Sequence, residues 1–112
     1  MNNKFLKQLK EDVEKAAKEL LKEKLSKVVL YGSYARGDYD KESDIDFALI
    51  SKVSEKDIPF YNEKIGEITS SLSIQYGIVV TIMIISMSTF DGYKDILPFY
   101  MNLIKDGLII YE

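Results

Sequence analysis

The pattern of apolar and polar residues divides the chain into alternating helices and strands. Between Phe5 and Leu25, apolar residues recur every three or four positions with lysine and glutamate on the opposite face, which predicts an amphipathic helix. A second helix is predicted from about Pro59 to Tyr76, because proline is tolerated in the first helical turn and Gly77 can end the helix. Shorter helical pieces are predicted from Thr89 to Tyr93 and from Ile96 to Lys105.

Further apolar runs predict strands. These runs are Val28 to Tyr31, Asp44 to Ile50, Ile78 to Ile85 and Leu108 to Tyr111. In the second run, the strand period of two places Ile45, Phe47 and Leu49 on one face and Asp44, Asp46, Ala48 and Ile50 on the other. The third run is apolar on both faces, which predicts a central strand. These elements predict an α/β (α+β) fold, with helices packed on a small mixed sheet of three to four strands.

Length and composition fit one globular domain. The chain has 112 residues, of which 46% are hydrophobic and 29% charged, so residues 1–112 are expected to form a single domain around one core. The longest apolar run is far shorter than a membrane span, which predicts a soluble cytoplasmic protein without membrane contact. The net charge of −3 argues against broad nucleic-acid binding, because such binding requires a basic surface.

The residue types that are missing narrow the chemistry. The chain contains no cysteine and no histidine. A disulfide, a thiolate nucleophile and the usual general base at neutral pH are therefore excluded. Carboxylates acting with hard cations are then the expected catalytic groups.

One segment combines the features of a phosphate site and a metal site. Gly32 directly follows the first strand, so the backbone can approach a ligand closely, and Ser33 is expected to cap a short helix whose N–H groups face that ligand. After a gap of ten residues, Asp44 and Asp46 share one strand face. Two carboxylates placed in this way repel each other unless a divalent cation lies between them. Mg²⁺ is the expected cation, since it takes oxygen ligands and is often shared with phosphates.

Arg36 is the only arginine among fifteen basic residues, and it lies beside the turn that Gly32 forms after the first strand, which we call the glycine turn. A planar guanidinium suits bidentate phosphate binding better than an ammonium group does, which makes Arg36 a candidate phosphate ligand. The alternative is an exposed loop arginine without a ligand.

Two alternatives concern the acidic residues. Acids alternate before the second strand as they do at the start of an EF-hand calcium loop, but Ser43 stands at the position of the required glycine and Leu49 at that of the closing glutamate. The calcium-loop interpretation therefore fails. The other alternative is a solubilising turn, against which Asp46 argues because it is expected within a strand beside core residues.

Gly32-Ser33, a gap of ten residues and then Asp44-Ile45-Asp46 resemble the signature of the DNA polymerase β-like nucleotidyltransferase superfamily. The Gly-Ser-Tyr-Ala-Arg-Gly opening and the small size are similar to the minimal nucleotidyltransferases, which are often antitoxins beside HEPN-domain toxins. The tail from Leu97 to Tyr111 resembles the same group. The resemblance implies the polymerase β-like nucleotidyltransferase fold for most of the chain.

The resemblance also implies an activity and a site. A nucleotidyl group, AMP from ATP, would pass to a hydroxyl acceptor, with a HEPN toxin as the candidate partner. Asp44 and Asp46 would be the catalytic residues and the ligands of two Mg²⁺ ions. Gly32 and Ser33 would bind the β- and γ-phosphates, with Arg36 as a helper.

The chain departs from the family pattern at one position. The family has a third carboxylate on the following strand, whereas Val79, Val80 and Thr81 occupy this position here, and no acid occurs between Gly77 and Phe90. Glu67 or Asp91 could replace it only if the geometry permits. An active enzyme, with two Mg²⁺ ions or one, and a catalytically silent nucleotide-binding antitoxin module both remain open. A homo-oligomer also remains open.

Overall fold

Helices and strands alternate along residues 3–112, the part of the chain that the computed structural model describes. The helices are α1 (Asn3–Leu21), α2 (Ser33–Arg36), α3 (Pro59–Tyr76), α4 (Met87–Tyr93) and α5 (Pro98–Asp106). The strands are β1 (Leu25–Tyr31), β2 (Ile45–Ser51), β3 (Val80–Ser86) and β4 (Leu108–Tyr111). Short 3₁₀ turns cover Lys22–Lys24 and Glu55–Asp57. None of these helices is long and apolar enough to cross a membrane.

The strands form one mixed sheet in the order β3-β2-β1-β4. β2 pairs parallel to β3, and β1 pairs antiparallel to both β2 and β4. The small mixed α/β sheet is as predicted, but the central position predicted for β3 is wrong. β3 lies at an edge of the sheet, and its apolar residues reflect helices on both faces: Ile82 and Ile84 contact one core cluster and Ile85 belongs to the other.

The first face of the sheet carries α1 and α3. Its core cluster includes Val28 and Leu30 from β1 and Ile45, Phe47 and Leu49 from β2. From α1 it takes Leu9, Val13, Ala17 and Leu21, spaced at helical intervals. We call this side of the sheet the helical face.

The second face carries α4 and α5 and a smaller cluster. Its buried members are Val29, Ala48, Ile50, Ile85 and Leu103. We call this side the open face, because Asp46 and Thr81, the residues paired at the start of β2 and β3, are only partly buried there. The alternation predicted for β2 is confirmed for Asp46, Ala48 and Ile50 on this face, but Asp44, which was predicted on the same strand face, lies before the start of β2.

Local signals set the helix ends. α3 spans Pro59–Tyr76 as predicted, and Gly77 ends it with a left-handed φ of +67°. α1 stops at Leu21, earlier than predicted, because Lys22 adopts a positive φ of +53° and the chain turns into β1. The ion pair between Glu14 and Lys18, 2.6 Å apart, lies along the exposed side of α1.

Candidate functional site

The glycine turn after β1 lies against the side chain of Asp46. Gly32 has φ +77° and ψ −157°, a conformation that residues with a Cβ rarely adopt. A Cβ placed on Gly32 would lie 2.7 Å from Oδ2 of Asp46. The absence of a side chain therefore lets the turn and the carboxylate meet. β-pairing explains the contact, because Tyr31 at the end of β1 is the register partner of Asp46.

Asp46 is held from its other side by Thr81. The two residues are register partners in the parallel pair of β2 and β3. The Thr81 hydroxyl donates a hydrogen bond of 2.5 Å to Oδ1 of Asp46. One carboxylate oxygen thus meets a hydroxyl donor, while the other faces the glycine turn.

Asp44 occupies a different setting. It lies one residue before β2 and is exposed, whereas Ile45 between the two acids is fully buried. Asp44 lines a cavity of about 420 Å³ between the loop at residues 41–44 and the end of α3, and neither Gly32 nor Asp46 lines that cavity. The structure therefore brings Gly32 and Asp46 together and places Asp44 at the neighbouring rim.

Ser33 is the first residue of α2, and Gly32 is the N-cap, so the expectation that Ser33 caps the helix is wrong. Gly32 supplies no capping side chain, and its carbonyl accepts hydrogen bonds of 3.1 Å from the N–H groups of Ala35 and Arg36. The N–H groups of Ser33 and Tyr34 precede these first helical bonds and lie at the N-terminal end of the turn.

Arg36 pairs with an acidic residue and borders a cavity. Its Nε lies 3.2 Å from Oδ2 of Asp38, and both side chains are exposed. Arg36 and Gly32 line a cavity of about 220 Å³ together with residues of β1 and α5, namely Tyr31, Phe99, Asn102, Leu103 and Asp106. Arg36 is thus exposed, as the alternative interpretation holds, and also borders a cavity at the glycine turn.

Tyr31 joins this cluster although the sequence did not single it out. Its hydroxyl donates to the Met83 sulfur at 3.5 Å. Burial raises the pKa of Tyr31 first, and the negative charge of Asp46 raises it further. Both effects favour the protonated hydroxyl, the form that donates the hydrogen bond to Met83. The position of Tyr31 directly before Gly32 is the only sequence signal, and its proximity to Asp46 depends on strand register.

A third acid is absent from this cluster within residues 3–112, where no group of three or more carboxylates could hold a metal ion. Glu67 lies on α3, which packs on the helical face, and pairs with Lys64 at 3.3 Å. Asp91 lies on α4 and pairs with Lys94 at 3.8 Å. Helix α4 begins directly after Ser86, which pairs with Ser51 at the end of β2 opposite to Asp46. Neither acid replaces the missing carboxylate.

Comparison with known proteins matches residues 6–104 to a family described as nucleotidyltransferase domain. Two proteins of Methanocaldococcus jannaschii, each provisionally named a protein adenylyltransferase, are similar in sequence. One is 40% identical over 79 residues, which cover 69% of this chain and 72% of the relative. The other is 32% identical over 96 residues, which cover 86% of this chain and 88% of the relative.

Solved structures share the fold. A toxin–antitoxin with AMP-PNP matches with a TM-score of 0.60 at 17% identity, over 91% of this chain and 72% of that one. A tri-AMPylated Shewanella oneidensis HEPN toxin in complex with an MNT antitoxin matches with a TM-score of 0.56 at 15% identity, over 94% and 71%. A provisionally named nucleotidyltransferase from Sulfolobus solfataricus matches with a TM-score of 0.54 at 26% identity, over 97% and 81%.

Proposed function

This chain belongs to the nucleotidyltransferase domain family, and from that premise we propose that it transfers AMP from ATP to a hydroxyl group of a partner protein. The names of its two archaeal relatives support adenylyl transfer to protein. The AMP-PNP complex and the AMPylated HEPN toxin among its structural neighbours support ATP as donor and a HEPN-domain protein as acceptor. We propose a cytoplasmic setting, in keeping with a toxin–antitoxin role.

The contact between the Gly32 turn and Asp46 is the observation that carries this proposal. A triphosphate needs backbone donors and a cation at adjacent points, and Oδ2 of Asp46 would lie 2.7 Å from a Cβ on Gly32. Gly32, with φ +77°, makes no side-chain capping hydrogen bond, and its conformation instead brings the turn close to Asp46. The same two residues are at the paired ends of β1 and β2, so the sheet holds them together.

The donor atoms near the turn fit a hard cation. Asp46 beside the turn and Asp44 at the neighbouring rim offer only oxygen, and the chain contains no histidine or cysteine that would favour a softer metal. Asp44 and Asp46 are therefore the residues proposed to hold Mg²⁺. A bound Mg²⁺ ion would offset the negative charge of the triphosphate and of the departing pyrophosphate.

The phosphates are proposed to lie along the turn and the cavity beside it. The N–H groups of Ser33 and Tyr34 would donate to phosphate oxygens, and the bare backbone of Gly32 leaves room for them. Arg36 would exchange its exposed pair with Asp38 for a phosphate, since an exposed ion pair contributes little stability.

In the transfer itself, the acceptor oxygen forms a bond to the α-phosphorus as the bond to the β-phosphate breaks. AMP stays on the acceptor, pyrophosphate leaves, and the hydroxyl proton passes to water. The residues of the turn and Asp46 hold the phosphate chain so that the acceptor and the leaving group lie in line.

A silent antitoxin module is the second candidate, and one observation favours it. Thr81 stands opposite Asp46 where a third acid would complete the metal site, and within residues 3–112 no group of three acids is arranged to hold a metal ion. In this case the chain would bind nucleotide or its partner without transferring AMP.

Transfer of label from α-labelled ATP decides between the two functions. With Mg²⁺ and a HEPN-domain protein from the same genome, the unaltered chain should label its partner, and Asp44→Asn and Asp46→Asn should each abolish labelling. Asp91→Asn is the matched control, since Asp91 lies on α4 and pairs with Lys94. Nucleotide binding without any transfer by the unaltered chain would establish the silent module instead.

A further inference from the structure

We infer that Thr81 is a positioning residue, which fixes the carboxylate of Asp46 in the orientation needed at the glycine turn. This inference rests on the proposed function, in which Asp46 binds a cation. Thr81 would not bind the cation or the nucleotide itself. It would act through the hydrogen bond from its hydroxyl to Oδ1 of Asp46, 2.5 Å long.

Strand pairing places the two residues directly opposite each other. Asp46 and Thr81 are register partners in the parallel ladder, flanked by the pairs Ile45 with Val80 and Phe47 with Ile82. The flanking residues Ile45, Phe47 and Val80 are buried in the helical-face core, so the register is fixed by packing. The hydroxyl therefore meets the carboxylate without any rearrangement of the backbone.

The side chain of Thr81 is itself restrained. A β-branched residue has few accessible χ1 rotamers, so its hydroxyl is directed by the strand. Thr81 is half-buried, and a hydrogen bond to an ionised acceptor in such surroundings is stronger than one between neutral groups. The bond is thus strong enough to select one rotamer of Asp46.

The selected rotamer has a consequence for the second carboxylate oxygen. With Oδ1 bound to Thr81, Oδ2 faces Gly32, at the point where a Cβ added to this residue would clash. Asp46 is therefore set beside the turn before any cation arrives. A third carboxylate in place of Thr81 would repel Asp46, whereas the hydroxyl attracts it. At this position the Thr81 hydroxyl restrains the orientation of Asp46 and adds no negative charge.

The test compares Thr81→Val, which keeps the shape and removes the hydroxyl, with Thr81→Ser, which restores it. Thr69→Val is the matched control, because the Thr69 hydroxyl donates to the Gly66 carbonyl within α3. The first measurement is the set of χ1 scalar couplings of Asp46 by NMR in metal-free protein. We expect one dominant rotamer in the unaltered chain and in Thr81→Ser, and averaged rotamers in Thr81→Val. Averaged couplings in the unaltered chain would overturn the inference.

The second measurement is the affinity for Mn²⁺ alone, by calorimetry or electron paramagnetic resonance. Removing an outer-shell hydrogen bond typically weakens metal binding about 10–100-fold, so Thr81→Val should fall in that range while Thr81→Ser and Thr69→Val stay near the unaltered chain. Unchanged affinity in Thr81→Val, or equal loss in Thr81→Ser, would overturn the inference. If the unaltered chain bound no Mn²⁺, the proposed metal site would fail, and the Asp46 couplings would still decide whether Thr81 fixes Asp46.

Discussion

The two faces of the sheet differ in what their side chains do. On the helical face, α1 and α3 cover a continuous apolar core that includes Leu9, Leu30 and Phe47, each with 0% exposure. On the open face, α4 and α5 cover a smaller cluster, and the start of β2 is left to Asp46 and its neighbours Thr81 and Tyr31.

This difference shows how one short strand serves two purposes. In β2, Phe47 anchors the core while the adjacent residue Asp46 projects to the opposite face. The packed face fixes strand register, and register places Asp46 beside Gly32 and Thr81. Stability and the candidate site are therefore separable by residue, although they share the same backbone.

Truncating one leucine on each face should give the largest effect and test the contrast in packing. Leu30→Ala should lower the free energy of unfolding by about 4–5 kcal/mol, near the top of the range for buried leucine. Leu103→Ala should cost only about 2 kcal/mol, because Leu103 already borders cavities on the open face. Urea denaturation measures both. Equal losses would show that the faces are equally well packed.

Two glycines that both have a positive φ should separate the effect on the candidate site from the effect on stability. Gly32→Ala places a Cβ 2.7 Å from Oδ2 of Asp46 at φ +77°, so it should displace that carboxylate and reduce AMP transfer about a hundredfold. Gly77→Ala, at φ +67° with nothing within 4 Å of the new Cβ, should cost about 1 kcal/mol of stability. Its transfer rate should stay unchanged. Similar transfer rates in both variants would contradict the assignment of Gly32 to the site.

A smaller effect should come from a hydrogen bond on the helical face. The Tyr76 hydroxyl donates to Oδ2 of Asp12 at 2.5 Å and so joins α3 to α1. Burial, followed by the hydrogen bond to Asp12 and its charge, raises the pKa of Tyr76 from 10.0 to about 12. Removing the hydroxyl in Tyr76→Phe should cost about 1 kcal/mol at neutral pH without changing AMP transfer.

The pH dependence of this contribution has a definite sign. The unfolded chain releases the tyrosine proton near pH 10, whereas the folded chain retains it up to about pH 12. The stabilisation should therefore be complete below pH 10.0 and decline as the pH rises through about 12. The difference in unfolding free energy between the unaltered chain and Tyr76→Phe measures it. A difference that stays constant over that range would contradict the raised pKa.

Local signals made much of the fold predictable from sequence. Proline at the start and glycine at the end located α3, and the alternation in β2 assigned its two faces. Sheet order was less predictable, because β3 is apolar on both faces yet lies at an edge. An edge strand covered by helices on both faces shows the same apolar pattern as a strand in the centre of the sheet.

Part of the candidate site was likewise predictable from sequence, and part was not. Gly32 and Asp46 were predicted from sequence spacing, and the structure adds that they are in contact. Tyr31 and the Thr81 hydrogen bond depend on register between distant strands, which single-sequence patterns do not specify. The roles of Asp44, Asp46, Gly32, Ser33 and Arg36 in binding metal and phosphate stay predictions.

Calorimetric binding of the non-transferable α,β-methylene analogue of ATP, with Mg²⁺ and with EDTA, tests most directly whether Gly32 and Asp46 form a joint nucleotide and metal site. We expect Mg²⁺-dependent binding that Asp46→Asn weakens at least about tenfold, comparable to other losses in metal coordination. Asp91→Asn should bind like the unaltered chain. Equal affinity in Mg²⁺ and EDTA, or unchanged affinity in Asp46→Asn, would contradict a joint nucleotide and metal site at Gly32 and Asp46.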